Sequence, residues 1–247
     1  MTVTDTTPPR EKDTPPHAQP HAPPHAQDEA LQDRVDVWVF DLDNTLYPAE
    51  CALFDQVDRN IGTYVADLLG KTPAEARAVQ KDYLVRYGTT LNGLMTNHDV
   101  DPHDYLHAVH DIDFSPIPRD DRLRDALQRL DAPKIIFTNA DRPYAEKVLD
   151  RLGIADQFDG IFDILDADLR PKPHSETYER FVTRHGVNPR KAVMVEDMAC
   201  NLKPAHAMGM RTVWINTGSP WGRKGHDPDI IHTEISSLSA WLDTVVK

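Results

Sequence analysis

RVDVWVFDLDNTLYP, residues 34–48, decides how the rest of the chain is read. Val37 to Phe40 form an uninterrupted apolar run, as expected of a strand buried on both faces. The run stops at Asp41, and Asp43 follows two residues later. In an open α/β sheet, ligands bind beyond the carboxyl ends of the strands, so both acids stand where chemistry is expected. A lone acid at that point is commonly a turn former. Two of them approaching one small volume form a costly like-charge pair unless a cation is bound.

Working outward, three similar apolar runs follow at PKIIFT (133–138), KAVMVED (191–197) and RTVWIN (211–216), with a weaker one, IFDIL, at 161–165. Helical patterns lie between them: one opens at the cap Asp141 and stops at Gly153, another runs from Ser175 to Gly186. Strands alternating with helices predict a parallel sheet. Residues 50–118 break the alternation and read as helices throughout. Leu53, Val57, Ile61, Val65 and Leu68 share one face; Thr72, Pro73 and Glu75 make a capping box, with Gly88 at the far end; Asp101 before Pro102 starts a third helix. Such an insert after the first strand suits a lid over the strand ends. The expected organisation is therefore a tail over 1–30, a core over 31–49 and 119–247, and a helical cap over 50–118. The tail is Pro- and His-rich, repeats PPHAQ at 15–19 and 23–27, and is expected to be disordered, with His17, His21 and His25 solvated.

Three of the later apolar runs are also followed by chemistry-bearing residues. Thr138 and Asn139 end the second strand and offer a hydroxyl and backbone donors. Lys172 stands between Pro171 and Pro173, which restrain the loop that presents its ammonium. Glu196 and Asp197 close another buried strand. Mg²⁺ takes oxygen ligands from one or two carboxylates plus phosphate and water, and Asp41 with Asp197 supplies that minimum.

Composition narrows the partners. A net charge of −13 argues against polymeric nucleic acid, whose binding relies on Lys and Arg. A small phosphorylated substrate is compatible, because a bound cation dominates locally. The 2 cysteines, Cys51 and Cys200, lie in no metal-ligand spacing and point to a reducing, cytoplasmic setting. No apolar stretch approaches the ~20 residues of a membrane helix. His98, His103, His107 and His110 read as solvated surface, and no heptad seam indicates an oligomeric state.

FDLDNTL, FTN, RPKP and VEDM together resemble the four motifs of haloacid dehalogenase (HAD) superfamily phosphatases, over residues 35 to 220. The resemblance implies a Rossmann-like core with strand order 5-4-1-2-3 and a helical cap of the first subclass. It also implies Mg²⁺ as cofactor, with Asp41 as nucleophile forming an aspartyl-phosphate. Asp43 would be acid and then base, Thr138 and Asn139 would hold phosphoryl oxygens, and Lys172 would offset charge. The metal would be held by the Asp41 side chain, the Asp43 backbone carbonyl and Asp197, with Glu196 acting directly or through water. Met198 stands where many relatives have Ser, and Cys200 precedes Asn201. FDLDNTLYP (40–48), RYGTTLNGLM (86–95) and NLKPAHAMGMRTVWI (201–215) are similar to bacterial pyrimidine 5′-nucleotidases, which implies UMP or CMP as substrate and Tyr87 and Thr90 as cap contacts.

Rival readings start from the same residues. A dehalogenase has no use for Asp43, because a halide leaves unprotonated. A phosphomutase would have to exclude water. A phosphatase for a sugar phosphate or phosphoglycolate needs only a different cap, and a non-catalytic binding module on this core would normally lack one of the charged residues that are all present here.

Overall fold

Strand β1, Val37–Phe40, forms where the apolar run predicts it, and all four residues are buried. The computed structural model describes residues 31–246. The expected tail over 1–30, with its three histidines, lies outside the described residues. Four helices follow β1: α1 (Leu53–Leu69), α2 (Pro73–Tyr87), α3 (Thr90–His98) and α4 (Pro102–Val109). The chain then alternates through α5 (Asp121–Gln128), β2 (Lys134–Phe137), α6 (Arg142–Leu152), β3 (Gly160–Phe162), α7 (Ser175–His185), β4 (Ala192–Glu196), α8 (Ala199–Ala207), β5 (Arg211–Ile215), β6 (Thr233–Ile235) and α9 (Leu238–Val245). Among the described residues, no helix is long and apolar enough to cross a membrane.

Every strand pair is parallel, in the order β3-β2-β1-β4-β5-β6. Read from the opposite edge, this is the expected 5-4-1-2-3 with β6 added outside β5. That edge strand escapes a search for apolar runs because only Thr233 of its three residues is buried. The IFDIL run stops being strand at Phe162, since Asp163 turns the chain: its carboxylate accepts from the amides of Arg142 and Asp166, both at 2.8 Å. Because β1 leads outward to β2 and β3 on one side while β4 and β5 lie on the other, the order reverses at the β1–β4 seam. A binding crevice is expected beyond that seam.

Alternation along each strand feeds two cores. Trp38, Phe40, Ile136, Val195 and Val213 face α5, α6 and α9. Val37, Val39, Phe137, Met194 and Trp214 face α7 and α8. On that second face the Phe137 and Phe181 rings stack with centroids 4.8 Å apart, and each fully buried Phe contributes about 1.5–3 kcal/mol.

The first core continues without a break into the helical insert through Leu53, Val57, Val65, Ala76, Leu94 and Tyr105. The capping box at Thr72 and Glu75 forms as expected. Two expectations for the insert need correcting. Leu68 turns outward at 42% exposure. The third helix is α3, so the helix that Asp101 caps is the fourth. Gly88 ends α2 and Thr89 caps α3 immediately, accepting from the Asn92 amide at 3.0 Å. Tyr83 and Tyr87 therefore lie on a different helix from Leu91, Leu94 and Met95. The two helices approach closely because α3 carries Gly93, where an added Cβ would lie 2.4 Å from Tyr83 Cγ.

Candidate active site

Asp41 lies just past β1, its amide donating to the Val195 carbonyl of β4 at 2.9 Å. It sits at the topological seam because the apolar run ends there. Its carboxylate is held at both ends: Lys172 Nζ donates to Oδ1 at 2.7 Å and Thr45 Oγ1 to Oδ2 at 2.9 Å. The same ammonium donates to Glu196 Oε2 at 2.7 Å and to the Phe137 carbonyl at 2.8 Å. All three of its hydrogens are thereby engaged, and the side chain is 1% exposed. Burial works against the Lys172 charge, but Asp41 and Glu196 outweigh it and raise its pKa above the ordinary lysine value.

Asn139 holds the lysine loop in place. Its Oδ1 accepts from the Lys172 amide at 2.7 Å and its Nδ2 donates to the Lys172 carbonyl at 3.3 Å. Both polar atoms of the side chain are thus used on the Lys172 backbone. Thr138 is buried, and its hydroxyl oxygen accepts from the Ala140 amide at 3.0 Å.

Glu196 ends β4, with Asp197 directly after it. The second Glu196 oxygen accepts from the Met198 amide at 3.1 Å, so both of its oxygens are engaged. Asp197 is positioned from two sides: Trp214 Nε1 donates to its carbonyl at 2.7 Å and Asn44 Nδ2 to its Oδ2 at 3.4 Å. Carboxylate oxygens of Asp41, Glu196 and Asp197 lie within 4.8 Å of one another, and all three residues are buried. Burial first, then the negative charge of its neighbours, pushes Glu196 and Asp197 well above the usual carboxylate range. Three buried carboxylates facing one ammonium leave an excess of negative charge, and this oxygen-only donor set suits a hard divalent cation.

The Asp43 side chain points elsewhere. Tyr144 of α6 donates its hydroxyl to Asp43 Oδ1 at 2.8 Å, and the Tyr47 hydroxyl donates to the same oxygen. Asp43 remains partly accessible, yet crowding around its carboxyl, followed by the charge of Asp41, raises its pKa. Burial, then the proximity of Asp43, raises both phenols. Asp43 contributes no carboxylate oxygen to the three-carboxylate group, and Asp41 acts on it through charge rather than a hydrogen bond.

The structure thus gathers Asp41, Lys172, Glu196 and Asp197 into one contact set, with Thr138 and Asn139 at the adjoining strand end. The insert residues stand differently. Thr90 is buried and its hydroxyl donates to the Gln80 carbonyl at 3.3 Å, so its polar atom is used within the insert. Tyr87 is half-buried, packed edge-on against Tyr83 with centroids 5.5 Å apart. The neighbouring Gly88 abuts the lysine loop: a Cβ built there would lie 3.4 Å from His174 Nε2.

Sequence reading missed Thr45, Tyr47, Tyr144 and His110. The first two stand four residues after Asp41 and Asp43, a spacing that could have flagged them. His110 is a correction, because it is not surface. Its Nδ1 donates to Asp141 at 2.9 Å with only 12% of the side chain exposed, and its ring lies 4.5 Å from that of Tyr144. His103 and His107 are exposed as expected.

Phosphate metabolism protein 8 of Saccharomyces cerevisiae is 29% identical over 193 residues, covering 70% of this chain and 59% of that protein. Phosphoglycolate phosphatase of Escherichia coli is 28% identical over 115 residues, covering 46% of this chain and 45% of that protein. The chain therefore spans less than two thirds of the length of these curated relatives. A solved HAD phosphatase from Thermococcus onnurineus shares the fold, with a TM-score of 0.57 at 22% identity over 83% of this chain and 94% of that one. The model of the haloacid dehalogenase-like hydrolases matches residues 35–209, and the chain belongs to that family.

Proposed function

We propose that this chain is a Mg²⁺-dependent phosphomonoesterase that works through an aspartyl-phosphate on Asp41 and takes a pyrimidine nucleoside monophosphate, UMP or CMP. The observation that carries the chemistry is Asp41 held by Lys172 on one oxygen and Thr45 on the other, with a second acid, Asp43, directed by two phenols. A carboxylate fixed in this way is oriented for attack before substrate arrives.

In this reading an Asp41 oxygen attacks phosphorus while Asp43 gives its proton to the departing alkoxide. Asp43 then takes a proton from the water that attacks the aspartyl-phosphate, the bond from phosphorus to Asp41 breaks, and phosphate leaves. Acid–base assistance of this kind contributes about 10²–10⁴ in rate. Lys172, the Thr138 hydroxyl and the Asn139 amide offset and orient the phosphoryl charge. Asp41, Asp197 and the Asp43 carbonyl would hold Mg²⁺, and the engagement of both Glu196 oxygens supports its acting through water. When bound, the cation supplies charge neutralisation that lets an anionic carboxylate approach an anionic phosphate. Asp43 weighs against a dehalogenase, where it would have no proton to give.

The boundaries that go with this reading are a core over 31–49 and 119–247 and a cap over 50–118, with Tyr87 beside Gly88 where the cap meets the lysine loop. Likeness in RYGTTLNGLM supports a nucleotide substrate. A phosphoglycolate substrate is the second reading, favoured by the E. coli relative. Phosphate release from nucleoside monophosphates, sugar phosphates and phosphoglycolate, with and without Mg²⁺, tests both. Release that needs Mg²⁺ and Asp41, is lost in Asp41→Asn and is fastest for UMP and CMP is expected. Equal rates on purine nucleotides or sugar phosphates would overturn the substrate, and activity retained in Asp41→Asn the mechanism.

A further inference from the structure

Tyr144 and Tyr47 converge on a single oxygen of Asp43. They come from different segments, α6 and the loop after β1, yet their hydroxyls end 3.4 Å apart, and both donate to Oδ1. A carboxylate oxygen has about two lone-pair sites in the carboxyl plane, so two donors fill Oδ1. Resting on the phosphatase reading, we infer that Tyr144 and Tyr47 are positioning residues that clamp Asp43 through Oδ1 and so assign the travelling proton to Oδ2.

The clamp is itself braced. Tyr144 is 2% exposed and is packed by His110 and Phe114 at ring-centroid distances of 4.5 and 5.5 Å. Asp141 caps α6 by accepting from the Tyr144 amide at 3.2 Å while also accepting from His110 Nδ1. The phenol therefore has little freedom to swing away. Asp43, by contrast, precedes Asn44, which has a left-handed backbone at φ 58°, and no regular helix or strand holds it. Without the phenols its carboxylate would be free to rotate.

The proton balance is as follows. As the ester P–O bond breaks, the proton on Oδ2 passes to the leaving oxygen, which departs as an alcohol. Water then gives a proton to Oδ2 as its oxygen bonds to phosphorus, the bond to Asp41 breaks, and phosphate departs. Tyr144 and Tyr47 keep their own protons throughout and touch no reacting atom. Misplacement of a reacting group by about 1 Å can cost on the order of 10²-fold, so holding Asp43 has a measurable effect.

The test compares wild type, Tyr144→Phe, Tyr47→Phe and Asp43→Asn, all with Mg²⁺, on UMP, whose 5′-phosphate is an alkyl ester, and on p-nitrophenyl phosphate. The phenylalanine variants keep the rings, and circular dichroism verifies their folding. The p-nitrophenolate ion leaves without a proton, whereas an alkoxide needs one. Either phenylalanine change should lower kcat/KM on the alkyl ester by about tenfold and on p-nitrophenyl phosphate by less than threefold, with KM little changed; Asp43→Asn should follow the same pattern more strongly. Equal losses on both esters, or no loss, would overturn the clamp while leaving the phosphatase reading intact if wild type is active. A wild type that releases phosphate from neither ester would overturn both. Should Tyr144→Phe fail to fold, Tyr47→Phe alone decides the outcome.

Discussion

His110 Nδ1 lies 2.9 Å from Asp141 Oδ1 and joins the end of the helical insert to the first turn of α6. Burial alone would raise the Asp141 carboxyl, but the hydrogen bond and charge of His110 hold it below the usual carboxylate range. Asp141→Ala removes both this bond and the helix cap, and should cost about 2 kcal/mol in a urea melt at neutral pH. Because its folded pKa is depressed, the contribution of Asp141 is full above about pH 4 and fades as pH falls through the folded value. The gap between wild type and variant should therefore narrow in acid. A gap that widens in acid would contradict the pairing.

Lys172→Met leaves Asp41 and Glu196 facing each other without their ammonium. Removing one partner of a buried ion set typically costs about 3–5 kcal/mol. We expect a loss of stability in that range, together with loss of phosphate release. Wild-type stability in Lys172→Met would mean that the two carboxylates are relieved in some other way.

Cation binding can be read without turnover. With Mg²⁺ at a hundred times its dissociation constant, the folded state should gain about 2.7 kcal/mol. For a chain of this size that is roughly 5–10 °C in Tm. Asp197→Asn should abolish most of the shift, because it removes one of the three convergent carboxylates. A full shift in the variant would place the cation elsewhere.

Gly93→Ala tests the α2–α3 contact. The new methyl would lie 2.4 Å from Tyr83 Cγ, so the helices must part or Tyr83 must move. Overpacking of this kind costs about 1–3 kcal/mol, measurable as a lowered Tm. An unchanged Tm would show that Tyr83 moves aside freely.

Strands β1, β2, β4 and β5 were legible because helices cover both faces, which requires nearly continuous apolar runs. Edge strand β6 has no such requirement, and Thr233–Ile235 carries no run to find. Helix α3 escaped for a related reason: Gly88 marks the end of α2, but Thr89 caps the next helix at once, with no intervening loop to show that another helix begins. At the site, Asp41, Glu196 and Asp197 stood out because charge at the end of a buried strand is expensive, and Lys172 because Pro171 and Pro173 restrain the loop that carries it. Tyr144 did not, since it meets Asp43 across 101 residues and its hydroxyl leaves no mark on the local pattern. Thr90 looked polar and available in the sequence, and its inward bond to Gln80 depends on how α2 and α3 cross.

Lys172 touches one partner 131 residues before it and another 24 residues after it. Parallel strands cannot form this junction until the crossovers between them have closed, and such long-range pairing is the slow part of folding. No contiguous fragment that lacks either β1 or β4 holds Asp41 together with both Glu196 and Asp197. Regain of turnover after denaturation should thus mark the completion of folding, behind any recovery of helical signal, and an early chain terminus anywhere before β4 should leave no residual catalysis.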